Sequence, residues 1–144
     1  ARWAADDELA AAIERDGTDA FLERWLASPL FAGLRPAPAD LAARRANPPE
    51  GLAAALRLLG TGVQQPLWDR LGDLRVPVLL LAGAEDAKFT ALARRMAEAV
   101  GAGAEVALVP GAGHAAHLER PDEAAAVIER FLDEHHVPPL RSGT

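Results

Sequence analysis

The 144-residue sequence sets 15 Lys and Arg against 21 Asp and Glu, a net charge of −6 that argues against nucleic acid or an anionic membrane surface as a partner. Half of it is hydrophobic, much of that alanine, and the length suffices for one modest domain with its own core. The absence of Cys excludes disulfides, thiolate metal ligands and a thiol nucleophile, and fits a reducing compartment; a cytoplasmic location is expected, since no apolar run approaches the ~20 residues that cross a bilayer.

In chain order, residues 2–15 read as a helix, with Trp3, Ala10 and Ile13 on one stripe and Gly17 at its end. Asp19 to Ala27 reads as a second helix, with Phe21, Leu22, Trp25 and Leu26 on one face, stopped by Pro29. Pro38 opens a short third helix through Arg45. Asn47-Pro-Pro breaks the chain again, and Leu52, Leu56 and Leu59 mark a fourth amphipathic helix closed by Gly60-Thr-Gly62. Leu67, Trp68, Leu71 and Leu74 form a last helical turn or two. Residues 1–71 are thus expected to be a helical cap without strands, with the boundary near Gly72.

From residue 72 the pattern alternates. An apolar run from Val76 to Ala82 stops at Gly83-Ala-Glu-Asp86, and a second from Ala104 to Val109 stops at Pro110-Gly-Ala-Gly-His114. Between them Phe89, Leu92, Met96 and Val100 recur at helical spacing. Pro121-Asp-Glu starts a final helix, with acids near the positive end of its dipole and Ala124, Val127, Ile128, Phe131 and Leu132 on its buried face. Val137 to Thr144 reads as a loose tail. Near-continuous apolar strands predict an α/β fold with a parallel sheet buried on both faces. Two strands do not make a stable sheet alone, so further strands are expected from outside this sequence. A charged helix already under way at Ala1 agrees with that expectation.

Ligands of open parallel sheets bind at the carboxyl ends of the strands, where Asp86 and His114 stand. A carboxylate that accepts from one imidazole nitrogen fixes the tautomer and leaves the other nitrogen to take a proton from a nucleophile. Each residue alone reads as a turn Asp or a surface His; together, each directly after a buried strand, they read as a catalytic pair. The nucleophile is missing. A Gly-x-Ser-x-Gly elbow needs a tight strand-to-helix turn, and the only serines, Ser28 and Ser142, have neither the glycines nor the strand. His117 and Glu119 lack a convincing third metal ligand and read as turn-stabilising, while His135 and His136 read as solvent-exposed. Gly111-Ala-Gly-His-Ala-Ala116 matches a dinucleotide fingerprint only formally, because no helix starts at that turn and no later strand carries the acid. Gly60-Thr-Gly62 lacks the lysine of a phosphate loop.

The segment from Gly83 to Pro121, with Gly-x-x-Asp followed by Gly-His-x-x-His-x-Glu-x-Pro, resembles the C-terminal part of an α/β-hydrolase. Trp25-Leu-Ala-Ser-Pro-Leu-Phe31, Arg45-Ala-Asn47, Leu59-Gly-Thr-Gly-Val-Gln64, Leu67-Trp68 and Asp86-Ala-Lys-Phe89 are similar to the 2-succinyl-6-hydroxy-2,4-cyclohexadiene-1-carboxylate synthases of menaquinone biosynthesis. The resemblance implies the C-terminal part of an α/β-hydrolase fold, with parallel strands and flanking helices after a helical cap (residues 1–71), the core portion spanning 72–144 and the N-terminal strands absent.

It further implies a lyase that abstracts a proton and eliminates pyruvate from 2-succinyl-5-enolpyruvyl-6-hydroxy-3-cyclohexene-1-carboxylate, with no metal or organic cofactor. A serine upstream of Ala1 would act as base through His114 and Asp86. The substrate is a small polycarboxylate, and Arg45 matches a family substrate-binding arginine whose planar guanidinium clamps a carboxylate with two hydrogen bonds. Trp25 matches a pocket tryptophan, and Lys88 stands where it could attract carboxylates. Without the resemblance, Arg45 reads as a solvated helix residue, Trp25 as cap packing and Lys88 as an exposed helix-start residue. Two alternatives remain open: a carboxylester or carbon–carbon bond hydrolase with the same triad, and a non-catalytic fragment or subunit that needs the missing N-terminal half or a complementary chain as partner.

Overall fold

The computed structural model describes residues 2–136; the expected tail, with Ser142, lies outside them. The chain divides into two compact units, Ala1–Pro66 and Leu67–Thr144. Residues 67–71, expected with the helical part, group with the second unit, because the 3-10 turns of Trp68–Asp73 pack on the first helix of that unit.

The first unit is helical. Helix α1 (Arg2–Leu26) leaves helical geometry at Gly17 (φ 84, ψ 170), which divides it as the sequence predicts. This left-handed φ is open to glycine at little cost. A 3-10 turn (Pro29–Phe31), α2 (Pro38–Arg45) and α3 (Pro49–Leu59) follow. The core of the unit is the seam between α1 and α3. Ala10, Ile13 and Ala53 are fully buried there, and alanines on both helices permit close approach. Arg57 of α3 reaches Asp7 (2.8 Å) and forks onto both oxygens of Glu14 (2.6 and 2.9 Å). The hydrogen bond from Arg57, helped by its charge, outweighs desolvation and the charge of Asp7 and holds the Glu14 carboxyl below its ordinary value. Buried Asp6 accepts from Arg2 Nε (2.9 Å) and the Gly62 N–H (3.3 Å), so the loop after α3 is pinned to α1. Two stripe residues depart from expectation: Trp3 and Leu59 are exposed, at 56% and 71%. Helical spacing gives the period of a stripe, but the width of the partner helix decides which members it covers.

The second unit alternates strand and helix. Strand β1 (Val78–Gly83), α4 (Ala87–Val100) and β2 (Ala104–Val109) form a parallel pair joined by a helical crossover, in register from Val78↔Ala104 to Gly83↔Val109. A single helical turn, α5 (Ala116–Glu119), precedes α6 (Pro121–Glu134), so the helical structure after β2 begins slightly earlier than the proline. Val109, Ala112, Ala116 and Ala124 form the buried centre, joined by the half-buried Leu81. On α6, Ala124 and Phe131 are buried while Ile128 is exposed. Among the described residues the sheet has these two strands, and β1 is only half-buried along most of its length. Its apolar side chains, with Phe89, Leu92 and Met96 of α4, line an open trough of about 280 Å³. No helix among the described residues is long and apolar enough to cross a membrane.

Candidate active site

The two strand ends meet backbone to backbone. The Ala84 N–H donates to the Val109 carbonyl and the Glu85 N–H to the Ala112 carbonyl, both at 2.9 Å. Gly83 makes this possible: a methyl group there would overlap the carbonyls of Ala112 and Gly113. The absent side chain lets the turn after β2 cross directly over the end of β1, and that crossing brings Asp86 and His114 together.

Asp86 is the N-cap of α4, and its Oδ1 accepts from the Phe89 N–H at 3.0 Å. Its other oxygen, Oδ2, lies 2.8 Å from His114 Nδ1. An ionised carboxylate only accepts, so Nδ1 carries the proton and donates, and Nε2 carries the lone pair of the neutral ring. The Asp86 side chain is 9% exposed and that of His114 26%, so the acid is enclosed while the ring reaches the surface. Burial pushes the Asp86 carboxyl up, but the Phe89 N–H, the hydrogen bond and charge of His114 and the charge of Lys88 together outweigh it and hold the group below its ordinary value. The acid therefore stays ionised beside the imidazole.

Further groups hold the ring, and sequence reasoning missed their part in it. Phe89, assigned by its spacing to the helix core, is 36% exposed and meets His114 edge-on, with ring centroids 4.5 Å apart and planes at 62°. The signal was present in Asp-x-Lys-Phe: the residue whose N–H meets a capping Asp is set on the first turn beside it. Glu119, read as turn-stabilising, accepts through Oε2 from the Gly113 N–H (2.9 Å) and through Oε1 from the Ala115 N–H (3.0 Å). Its two oxygens are thus engaged on either side of His114, and among the described residues no group of three His, Asp or Glu is arranged to hold a metal.

The remaining predicted residues are placed as follows. Lys88 is exposed on the first turn of α4, its Nζ 5.5 Å from the Phe89 ring centroid. Arg45 lies in the first unit, at the end of α2, where its Nε pairs with Asp19 Oδ1 at 3.0 Å in an exposed bridge. Trp25, also in that unit and 39% exposed, sits between Phe21 and Phe31, at centroid distances of 5.5 and 5.7 Å. Ser28 accepts weakly from the Leu30 N–H (3.4 Å) at the start of the 3-10 turn, a capping role. His117 is exposed, and His135 and His136 are exposed at the end of α6, where His135 also lies 4.3 Å from the Phe131 ring.

The family profile described as "Alpha/beta hydrolase family" matches residues 1–127. The chain belongs to this family. Among individual relatives, it is 36% identical over 132 residues to a Bacillus subtilis (strain 168) protein provisionally named 2-succinyl-6-hydroxy-2,4-cyclohexadiene-1-carboxylate synthase, a match covering 88% of this chain and 48% of that protein. The protein with the same name, unqualified, in Serratia proteamaculans (strain 568) is 35% identical over 133 residues, covering 91% and 50%. A solved structure, "Structure of MenH from S. aureus", superposes with a TM-score of 0.85 at 34% identity, over 94% of this chain and 52% of that one. The chain spans about half the length of the curated relatives it matches, and the matched half is the C-terminal part of the α/β-hydrolase fold.

Proposed function

We propose that this chain carries the acid and histidine of a Ser–His–Asp triad in a pyruvate-eliminating lyase, the serine coming from the other half of the family fold. The observation that carries the reading is the 2.8 Å bond between Asp86 Oδ2 and His114 Nδ1 at the carboxyl ends of adjacent parallel strands. In this arrangement His114 Nε2 takes the serine proton, and the resulting alkoxide removes a proton from the substrate ring. The electron pair left behind expels the enolpyruvyl oxygen, breaking a carbon–oxygen bond; the enolate released takes up the proton held by the His114 imidazolium and ketonises to pyruvate. Asp86 holds the ring in the Nδ1–H tautomer and stabilises the imidazolium that forms. The relatives' names support 2-succinyl-6-hydroxy-2,4-cyclohexadiene-1-carboxylate as the product, and the lyase reading takes 2-succinyl-5-enolpyruvyl-6-hydroxy-3-cyclohexene-1-carboxylate as the substrate. In this reading residues 1–71 form the cap, Arg45 exchanges Asp19 for a substrate carboxylate, Lys88 adds positive charge near Asp86, and Trp25 packs on the substrate.

A carboxylester or carbon–carbon bond hydrolase is the second reading, favoured by the same dyad, which serves either chemistry. The deciding experiment fuses the N-terminal half of the Bacillus relative to this chain and offers the chimera the succinyl-enolpyruvyl substrate and a simple aryl ester. Pyruvate release that falls by about 10³-fold or more in His114→Ala is expected. Brisk ester turnover without pyruvate release would overturn the lyase assignment in favour of the hydrolase.

A further inference from the structure

The geometry points to Glu119 as a positioning residue for His114: one carboxylate grips the peptide N–H groups before and after the histidine and so sets the direction of its ring. The inference rests on the catalytic reading of His114, but it stands on a separate set of contacts. Glu119 Oε2 accepts from Gly113 N–H at 2.9 Å and Oε1 from Ala115 N–H at 3.0 Å, while Glu119 itself is only partly exposed. The residue between those two amides is His114. Hydrogen bonds from amides to an ionised acceptor are among the stronger ones, and two of them fix a peptide segment at both ends. With the backbone on either side held, the Cα–Cβ direction of His114 is set, and the ring is completed by Asp86 at Nδ1 and by Phe89 at its edge. The turn has no margin on its inner side: a methyl group on Gly113 would lie 3.3 Å from both Glu119 oxygens. The carboxylate comes from α5, whose first turn after the histidine folds back so that Leu118 and Glu119 N–H donate to the Ala115 carbonyl. Glu119 acts through the peptide that carries the imidazole.

The test uses nuclear magnetic resonance of the 144-residue chain, so it needs no turnover. Glu119→Ala and Glu119→Gln are compared with the unchanged chain and with Glu123→Gln, which alters an exposed acid in the first turn of α6. In Glu119→Ala, amide exchange at Gly113 and Ala115 is expected to accelerate about 10-fold or more, and the low-field His114 Nδ1–H signal to broaden or vanish, while the ladder amides of β1 and β2 keep their protection. In Glu119→Gln the NH2 group that replaces one oxygen cannot accept, so protection should fall at the N–H that faces it and survive at the other. Glu123→Gln should change neither. Unaltered exchange at both amides in Glu119→Ala would overturn the inference. Faster exchange with the His114 signal intact would overturn it too, because the residue would then anchor the turn without directing the ring. Should Glu119→Ala fail to fold, Glu119→Gln decides, since unchanged protection at both amides there refutes the grip. A positive result beside an inactive chimera would leave this inference standing and remove the lyase reading alone.

Discussion

Asp86 has both oxygens committed, one to the helix that follows it and one to the imidazole. That dual role links stability to pH with a definite sign. Because the folded carboxyl is held below its ordinary value, its contribution is fully present above about 3.9, the usual aspartate pKa, and is lost as pH falls through the lower folded value. Urea midpoints of the unchanged chain and of Asp86→Asn should therefore differ at neutral pH and converge as the pH is taken below the ordinary aspartate range; a gap that stays constant would contradict the linkage. Phe89→Ala keeps the backbone N–H on Asp86 but removes the ring from His114. It should cost about 1 kcal/mol of stability, the usual scale of an aromatic pair, and lower kcat of the chimera more than it raises KM. At this scale the sequence displayed Asp86 and His114 plainly, because strand ends concentrate chemistry. It concealed the aid of Phe89, because a periodicity reading assigns every apolar member of a stripe to the core. The grip of Glu119 was equally hidden, since a carboxylate bonded to backbone amides leaves no partner side chain to notice.

The elements themselves were largely legible. Gly17 and the prolines punctuate the helices where expected; β2 matches its apolar run, and β1 starts two residues into its run and ends one residue past it, at Gly83. Legibility ended at contacts between elements. Trp3 and Leu59 share a spacing with buried neighbours yet stay exposed, since the α1–α3 seam is narrow and built on alanine. The closest approach, where the turn after β2 crosses β1, is visible in sequence only as one glycine among 12. Gly83→Ala is expected to destabilise the second unit by about 3–5 kcal/mol, because backbone carbonyls cannot rotate away as a side chain would. Gly103→Ala, whose methyl group would meet only the Val76 carbonyl at 3.7 Å, should stay within about 1 kcal/mol. Thermal unfolding of both variants measures the contrast, and equal losses would show that the crossing is softer than described.

For the whole molecule, the sheet among the described residues is one parallel pair, in a chain that spans about half the length of its relatives. The half-buried β1, the apolar trough beside it and the exposed Leu58 and Leu59 leave apolar surface open among the described residues. The isolated chain should show no turnover of the succinyl-enolpyruvyl substrate or an aryl ester above a His114→Ala control. Ser28, the serine among the described residues, caps a 3-10 turn in the helical unit. Activity of the isolated chain abolished by His114→Ala would contradict this and require a nucleophile within these residues.

Asp86, His114, Phe89 and Glu119 all belong to residues 67–144, so the bond from Asp86 to the imidazole, the edge contact of Phe89 and the grip of Glu119 on the flanking amides are all made inside one unit. The segment from Gly83 to Glu119 thus carries in one continuous stretch the acid, the imidazole and these three supports.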